Sequence, residues 1–584
     1  MKDILMIKRG LSKICSESEK EIISKINDKS IKVVSFDLFD TLVNRFVSNH
    51  DYIFRLLEKK YNDKYSCNDN ITKIRIIAEK QARKNSIKEE ISLEDIYDNF
   101  PSAYKDRIVW LMQKEIELEE NVCVKNLNTY QLYEEALKSK KKVYIITDTY
   151  LPKKCIENIL SKNGFSNYDS LYISSELGCT KRSSNLFKKF HNDTNYMYCE
   201  HLHIGDAIRS DYLVPRLLKI SCSLIARKRN NTFILKKTSS ISVSSDVLIN
   251  YIKYTSGYDN YYQRIGYEIV GPLLYGYVTW LKNELVTRNI HKVFFLAREG
   301  ILLNNAFETI NGTDNNMDLN IEKNVLRVSR KATTTPLGYS EEALQQRTNI
   351  MGYLNRNGFK GKVAIADVGW RGTIQKNLQK IVGNEAYIQG FYYGIIKKKN
   401  DSLLRNADAY AFKPNNSGDK ALFNIIMSSP SLIELFFLST DGTTESYNDK
   451  YEPILGTPEQ NNEVNDEINK LQEAALNFVR YFSKSIEKLN VKMDFTAEDV
   501  FIPYESMIRN RCGELARHLA EYNHVDLVSE KFLPEHELSW YLLNPNSFIS
   551  DFRKSGAKVI FLKKILRIRL PYVEIVSAIR KIFD

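Results

Sequence analysis

The chain has 584 residues, which is too long for one ordinary core and predicts two or three domains. Hydrophobic residues make up 43% and charged residues 27%, as in ordinary globular proteins, and the net charge of +12 favours anionic partners. The eight cysteines form no CxxC pair or zinc-spaced cluster, and no run of about 18 apolar residues occurs, so we expect neither a zinc site nor a membrane-spanning helix but a cytoplasmic protein.

The first third of the chain alternates strand and helix patterns. A β-branched run at residues 31–36 ends in Asp37 and predicts a buried strand that meets a polar loop. A mostly helical insertion follows, and then KVYIITD, a helix, SLYIS, a Lys-bearing loop, a helix and HLHIGDAIRSD. This alternation predicts a parallel α/β sheet over residues 30–225, with a helical cap at about residues 45–135.

Polar side chains stand where the predicted strands end. They are Asp37, Thr147, Lys181, Asp206 and Asp211. Ligands collect at the carboxyl ends of strands in an open α/β sheet. A carboxylate that attacks a phosphoryl group needs a hydroxyl or amide to orient the oxygens and a cation to balance the charge. Magnesium takes hard oxygen ligands such as carboxylates. The sequence therefore has a candidate for each role in a phosphoryl-transfer site.

Four motifs in this order resemble the haloacid dehalogenase superfamily, whose members mostly hydrolyse phosphate esters through an aspartyl-phosphate. They are FDLFDTL, the Thr of IITDT, the Lys of CTKRSSNLF, and GDAIRSD. The resemblance implies that Asp37 is the nucleophile and that Thr147 and Lys181 hold phosphoryl oxygens. It also implies that Asp37, Asp206 and Asp211 bind Mg²⁺ beneath the helical cap.

One position departs from the superfamily pattern. Phosphatases of this type usually carry an acid/base Asp two residues after the nucleophile, and Phe39 stands there. The main-chain carbonyl of Phe39 remains a candidate metal ligand. The next residue, Asp40, occupies a position that is usually Gly, and it is the alternative acid/base candidate.

The acidic residues of one insertion helix predict a solvated face: Glu115, Glu117, Glu119 and Glu120.

A basic, Ser-rich stretch predicts a linker at residues 226–255. Beyond it we predict a second α/β module at residues 256–455 and a helix-rich region at residues 456–584. Three predicted strands of the second module end in charged loops, and Gly-rich turns there favour an anionic ligand. The candidate binding residues are Arg298, Arg330, Asp367, Arg371 and Thr373. The loop DVGWRGT faintly resembles the phosphate-binding loop of phosphoribosyltransferases.

The motifs of both modules together resemble a family of large bacterial two-module proteins, described as predicted hydrolases that often accompany capsule or lipopolysaccharide genes. This resemblance implies a Mg²⁺-dependent phosphohydrolase or phosphotransferase acting on a sugar-phosphate-type intermediate of cell-surface polysaccharide biosynthesis. A nucleotide-linked ligand is then expected in the second module. The alternative is a non-catalytic first module that serves as a binding or scaffold unit for a transferase-like second module, glycosyl- or phosphoribosyltransferase-like.

The positive charge bears on two further classes of partner, a membrane surface and nucleic acid. The basic, apolar tail at residues 553–581, interrupted by Pro571, would either pack on the second module or touch the inner face of a membrane. No recognition-helix, zinc or RNA-binding signature accompanies the positive charge, so we expect no nucleic-acid partner.

Overall fold

The computed structural model describes most of the chain as two compact units. The described residues are 16–225, 241–311, 321–396, 406–413, 420–458, 461–510, 512–518, 523–525, 529–531, 536–568 and 570–583. Within them, residues 16–225, 241–257 and 485–494 form the first unit. The other described residues form the second unit.

The first unit is built on a six-stranded sheet in which all neighbouring strands are parallel. Its strands are Ser16–Glu17 (β1), Val33–Phe36 (β2), Lys142–Thr147 (β5), Ser170–Ile173 (β6), His201–Gly205 (β7) and Ser221–Ile225 (β8). A short antiparallel pair, Val43–Arg45 (β3) and Cys123–Lys125 (β4), lies outside this sheet. The strand order is β1-β8-β7-β2-β5-β6. This confirms the predicted parallel α/β sheet, with the β-branched run of β2 fully buried between β7 and β5.

Helices fill the connections of the first unit. They are Glu19–Ile26, His50–Tyr65, Ile71–Asn85, Leu93–Tyr97, Ile108–Val122, Leu127–Lys138, Lys153–Lys162, Ser174–Leu177, Asn185–Thr194, Val214–Leu217 and Val243–Thr255. Those between β3 and β4 form the helical insertion predicted as a cap, and the β3–β4 pair marks where it leaves and rejoins the sheet domain.

Part of the stretch predicted as a linker is folded. Residues 226–240 lie outside the described residues, whereas the helix Val243–Thr255 belongs to the first unit. Its Asp246 accepts hydrogen bonds from the backbone N–H and the hydroxyl of Ser48, and the ring of Tyr251 packs edge-on against Phe46. The Ser-rich composition signalled a boundary, but these buried contacts hold the later half of the stretch against the first unit.

The second unit contains a five-stranded sheet, also parallel throughout. Its strands are Lys292–Leu296 (β9), Glu322–Leu326 (β10), Gly361–Asp367 (β11), Ala386–Gly394 (β12) and Ala407–Phe412 (β13). The strand order is β10-β9-β11-β12-β13. Antiparallel pairs Thr444–Tyr447 (β14) with Pro453–Leu455 (β15), and Asn523–Val525 (β16) with Ser529–Lys531 (β17), follow. The second α/β module predicted from sequence is therefore a parallel sheet of its own.

Helices from residue 261 onward surround and follow this sheet. They are Tyr261–Ile265, Gly271–Thr287, Gly300–Asn311, Arg330–Thr334, Glu341–Arg356, Thr373–Val382, Lys420–Met427, Pro430–Phe437, Asn462–Leu489, Ala497–Asn510, Cys512–His518, Leu538–Leu543, Pro545–Lys554, Lys558–Leu566 and Tyr572–Phe583. In the tail, the apolar residues Val559, Ile560, Phe561 and Leu562 are buried, which supports packing of this face rather than its exposure. Among the described helices, none taken alone has the length and hydropathy of a membrane span, and the bent pair Lys420–Met427 and Pro430–Phe437 reaches them only when the two are counted together.

Candidate active site

Asp37 lies at the centre of the first sheet. It follows β2 directly, its side chain is buried, and its backbone N–H donates to the carbonyl of Ile204 in β7, at 2.9 Å. The chain runs from β2 to β5 and β6 on one side and returns to β7 and β8 on the other. Asp37 therefore stands at the point where the strand order reverses, the place where open α/β sheets bind ligands.

Asp206 and Asp211 follow β7, next to Asp37. Carboxylate oxygens of the three residues lie within 4.8 Å of one another. Asp211 is fully buried and accepts a hydrogen bond from the backbone N–H of Ala207, at 2.9 Å. A Cβ on Gly205 would lie 2.5 Å from the Asp211 side chain, so the absence of a side chain there lets Asp211 fold back against β7. The trio that the sequence predicted is brought together.

Lys181 joins two of these carboxylates from a distant loop. Its Nζ donates to Asp37 Oδ1 at 2.6 Å and to Asp211 Oδ1 at 2.7 Å, and its side chain is 2% exposed. The backbone N–H of Lys181 donates to Asp148, at 2.8 Å. This bond ties the loop to the end of β5.

The buried charges shift one another's pKa values. Burial raises the pKa of Asp37 to about 7, and the charges of Asp211 and Asp206 add to the rise while Lys181 opposes it. Burial also disfavours the charged forms of Asp211 and Lys181, but their mutual attraction lowers the pKa of Asp211 and raises that of Lys181. The Lys181 ammonium is therefore shared between two buried carboxylates, those of Asp37 and Asp211.

Thr147 ends β5, beside β2, and is 1% exposed. Its hydroxyl oxygen is buried and has no hydrogen-bond partner. Buried polar groups almost always have a partner, so such a hydroxyl is typical of a place where a ligand or water binds. This is the position that the sequence predicted for a phosphoryl-binding hydroxyl.

Phe39 and Asp40 lie in the turn between β2 and β3. The ring of Phe39 lies 3.5 Å beneath the guanidinium of Arg45 in β3. Asp40 has a φ of 57°, in the left-handed region that favours Gly, which agrees with its place at a usual Gly position. The backbone N–H of Asp40 donates to the carbonyl of Val43 in β3, at 2.8 Å. Asp40 thus lies towards the β3–β4 pair.

A Mg²⁺ ion fits the residues present. Asp37, Asp206 and Asp211 offer hard carboxylate oxygens, and Gly205 leaves room for one of them. Three ionised carboxylates and the Lys181 ammonium leave two negative charges, which a divalent cation balances.

No family model and no curated protein matches the chain. Solved structures do match. They include the L-2-haloacid dehalogenase PA0810, at 15% identity and a TM-score of 0.25, over 34% of this chain and 85% of that one. The putative HAD-hydrolase YfnB from Bacillus subtilis, bound to magnesium, matches at 15% identity and 0.26, over 33% and 87%. The HAD family enzyme bt-2542 from Bacteroides thetaiotaomicron matches at 16% identity and 0.26, over 35% and 97%.

A hydrogen-bonded chain of buried side chains lies behind Asp211, and sequence reasoning missed it. Ser35 Oγ lies 2.6 Å from His201 Nε2 and 2.7 Å from His203 Nδ1. His203 Nε2 lies 3.4 Å from Asp211 Oδ1, and His191 Nε2 lies 3.1 Å from His201 Nδ1. Burial lowers the pKa values of His201 and His203. The sequence did carry a signal for this chain. The histidines of β7 alternate with an apolar residue, and the neighbouring strand β2 has one polar residue, Ser35.

The acidic face predicted on the insertion helix Ile108–Val122 is partly wrong. Glu115 and Glu119 are fully buried. Glu115 pairs with Arg75 at 2.7 Å, and Glu119 pairs with Arg45 at 2.7 Å. The arginines come from elsewhere in the first unit, so the pattern of one helix could not reveal them.

The strand order of the second sheet reverses in a comparable way. The chain passes from β9 to β10 on one side and returns to β11 on the other. Asp367 ends β11 and is buried, and burial raises its pKa to about 7; the charge of Glu299 adds to the rise and that of Arg330 opposes it. Glu299 and Arg330 lie in the segments that follow β9 and β10. Arg371 is exposed on the following loop, Thr373 begins the next helix, and Arg298 lies in the loop after β9.

The Gly-rich loop after β11 donates hydrogen bonds to the last residue of that strand. The backbone N–H groups of Gly369 and Val368 donate to the Asp367 carboxylate. A Cβ on Gly369 would lie 2.7 Å from Asp367 Oδ2. The sequence predicted that such N–H groups face an anionic ligand, and here they meet the buried carboxyl group of Asp367.

Proposed function

We propose that the first unit is a Mg²⁺-dependent phosphohydrolase or phosphotransferase of the haloacid dehalogenase type. The observation that carries the proposal is the convergence at one strand-order reversal of Asp37, Lys181 and the Asp206/Asp211 pair. Nucleophilic catalysis by a carboxylate needs this combination of a shielded anion and nearby positive charge.

Each residue has a proposed role. Asp37 would attack phosphorus and displace the leaving group, forming an aspartyl-phosphate. Water or an acceptor would then take the phosphoryl group and free the Asp37 carboxylate. Lys181 and the unpartnered hydroxyl of Thr147 would hold phosphoryl oxygens. When bound between Asp206, Asp211 and Asp37, Mg²⁺ would keep Asp37 ionised and balance charge on the phosphoryl group. The Phe39 carbonyl would complete this ligand set, and Asp40 is the proposed proton donor to the leaving group.

The proposed substrate is a sugar-phosphate-type intermediate of cell-surface polysaccharide assembly, as the two-module motif pattern implies. The test is turnover of a panel of phosphorylated sugars and phenyl phosphate, with Mg²⁺ and with a chelator. We expect turnover that the chelator abolishes and that Asp37→Asn lowers by at least about 1,000-fold. Asp40→Asn is the matched variant for the proton donor. Metal-dependent turnover that survives in Asp37→Asn would contradict the nucleophile.

A second candidate concerns the second unit. We propose that it binds a nucleotide-linked or otherwise anionic ligand at its own strand-order reversal, using Arg298, Arg330, Asp367, Arg371 and Thr373. The strand order β10-β9-β11 is the observation that favours this location. With no turnover in the first unit, the protein would be a binding or transferase-like protein centred here.

Thermal-shift titration with uridine diphosphate and with inorganic phosphate tests the second site. We expect nucleotide to raise the melting temperature of the wild type but not that of Arg330→Ala. Lys331→Ala is the matched control, because this exposed neighbour pairs with Glu445 instead. Equal shifts in both variants would place the ligand elsewhere.

A further inference from the structure

A buried polar cluster lies where the helical insertion meets the first sheet domain. We define the insertion cluster as Arg45 of β3, Glu119 of the helix Ile108–Val122, and Tyr150 of the segment after β5. Arg45 Nε donates to Glu119 Oε2 at 2.7 Å. Tyr150 lies in the same region, because the guanidinium of Arg75 is 5.0 Å from its ring and pairs with Glu115, one helical turn before Glu119.

Two atoms of the insertion cluster have no partner. The hydroxyl of Tyr150 and Oε1 of Glu119 are both buried without a hydrogen bond. A buried polar group without a partner lowers stability, so a folded protein seldom keeps two such atoms together unless something else binds them. One is an acceptor that needs a donor, and the other can donate or accept.

The insertion cluster adjoins the residues of the proposed phosphoryl site. Arg45 stacks on Phe39, which is two residues beyond Asp37. Tyr150 is three residues beyond Thr147, whose hydroxyl is also unpartnered. The two chain segments that would hold the phosphoryl group therefore lead directly into the cluster.

The charges beside the unpartnered atoms are already paired. Arg45 faces Glu119, and the neighbouring Arg75, whose guanidinium lies 5.0 Å from the Tyr150 ring, faces Glu115. A second anionic group on a ligand would compete with these carboxylates for the arginines. A cationic group would meet the two guanidinium ions. Neutral hydroxyl groups match both open positions, since each can donate to Glu119 Oε1 and accept from Tyr150.

We propose that Glu119 Oε1 and the Tyr150 hydroxyl bind hydroxyl groups on the leaving group of the substrate. The substrate class is then a phosphate monoester of an uncharged polyol such as a sugar, in preference to a phosphorylated carboxylic acid or phenol. This inference rests on the proposed function of the first unit. The two residues select the substrate and take no part in bond breaking.

The experiment measures kcat/KM of the full chain with Mg²⁺ on a hexose 6-phosphate, phosphoglycolate and phenyl phosphate, for the wild type and Tyr150→Phe. We expect the hexose phosphate to be the best wild-type substrate and to lose about tenfold in Tyr150→Phe, mostly in KM. Phenyl phosphate, which offers no hydroxyl, should lose less than threefold. Equal losses on all three esters, or a wild-type preference for phosphoglycolate, would overturn the inference.

Two variants separate selection from structure. The Tyr150 hydroxyl has no partner, so Tyr150→Phe should keep or raise the melting temperature. Tyr97→Phe is the matched control, because its hydroxyl donates to Glu115 at 2.8 Å. It should lower the melting temperature and leave the preference among esters unchanged. A fall in stability of Tyr150→Phe would assign its hydroxyl to a fixed water and contradict ligand binding.

Failure of the proposed function is distinguishable from failure of this inference. If no ester is turned over, the hydrolase proposal fails. Binding then still decides the inference: with Mg²⁺, hexose 6-phosphate should raise the melting temperature of the wild type more than that of Tyr150→Phe. An equal shift in both proteins would rule out hydroxyl recognition by Tyr150.

Discussion

The geometry of the candidate site depends on single residues that lie very close to a buried partner. Gly205 is the clearest example, because the Asp211 carboxylate occupies the space that a Cβ would need. Asp37, Lys181 and Thr147 stood out in the sequence because each is polar and follows an apolar strand. Gly205 carries no such signal beyond its place before Asp206, and its role is visible only once Asp211 is placed.

Gly205→Ala should disturb the candidate Mg²⁺ site. The new methyl group would lie 2.5 Å from the Asp211 side chain, so Asp211 must move, at a cost of about 1–3 kcal/mol in stability. We expect weaker Mg²⁺ affinity by calorimetric titration as well as a lower melting temperature. Gly513→Ala is the control, because its Cβ meets only ordinary contact, 3.5 Å from Lys563. Unchanged Mg²⁺ affinity in Gly205→Ala would argue against Asp211 as a ligand.

Among the described residues, Ser35 of β2 is the side chain that joins His201 to His203 by hydrogen bonds. Ser35→Ala would leave one nitrogen of each buried imidazole without its partner, at 2.6 and 2.7 Å in the structure. We expect a loss of about 1–3 kcal/mol in denaturant unfolding. Ser223→Ala, whose hydroxyl bonds the partly exposed Glu17, should lose less. Equal losses would mean that the histidines find other partners.

At the scale of elements, the helical insertion is held together by buried ion pairs as well as by apolar packing. The helices Ile71–Asn85 and Ile108–Val122 contribute Arg75 and Glu115, both fully buried, and Tyr97 of a third helix donates to the same carboxylate. Helical periodicity predicted these elements. It could not predict that two of the acidic residues point inward, because the charge that stabilises each one lies on a different element.

Glu115→Ala should destabilise the first unit strongly. Removing Glu115 takes two hydrogen bonds from the fully buried Arg75 and leaves Glu79, 3.1 Å away and partly exposed, as its remaining carboxylate partner, so we expect a loss of about 3 kcal/mol. Glu117→Ala is the matched control on the same helix, because Glu117 pairs with the half-buried Lys114 near the surface and should lose less than about 1 kcal/mol. Denaturant unfolding measures both. Similar small losses would show that water reaches Arg75.

At the scale of the whole molecule, two parallel sheets each place acidic residues where their strand order reverses. In the first, Asp37 of β2 lies opposite the loop after β7; in the second, Asp367 of β11 lies opposite the loop after β9. Each unit also has its own buried core. The two candidate sites can therefore be perturbed separately.

The stability of the second unit should fall as pH rises from about 4 to about 7. Burial raises the pKa of Asp367 from 3.8 to about 7, so the folded unit keeps a proton that the unfolded chain releases above 3.8. Glu299 adds to this rise and Arg330 opposes it, and the hydroxyls of Tyr277 and Tyr392 also face Asp367. We expect up to about 4 kcal/mol less stability at pH 8 than at pH 4 from this group. Asp367→Asn should lose that part of the pH dependence, and an unchanged profile would contradict it.

The amino-acid sequence by itself determined the class of fold, the strand ends and the identity of the candidate trio with Lys181 and Thr147. It could do so because parallel strands end at a shared edge, so polar residues after apolar runs converge whatever the details of packing. Only the tertiary structure decided which partners meet. Lys181 is 144 residues from Asp37, and Glu119 is 74 residues from Arg45. Burial, pairing and the two unpartnered atoms beside the candidate site arise from contacts between distant segments, which no local pattern records.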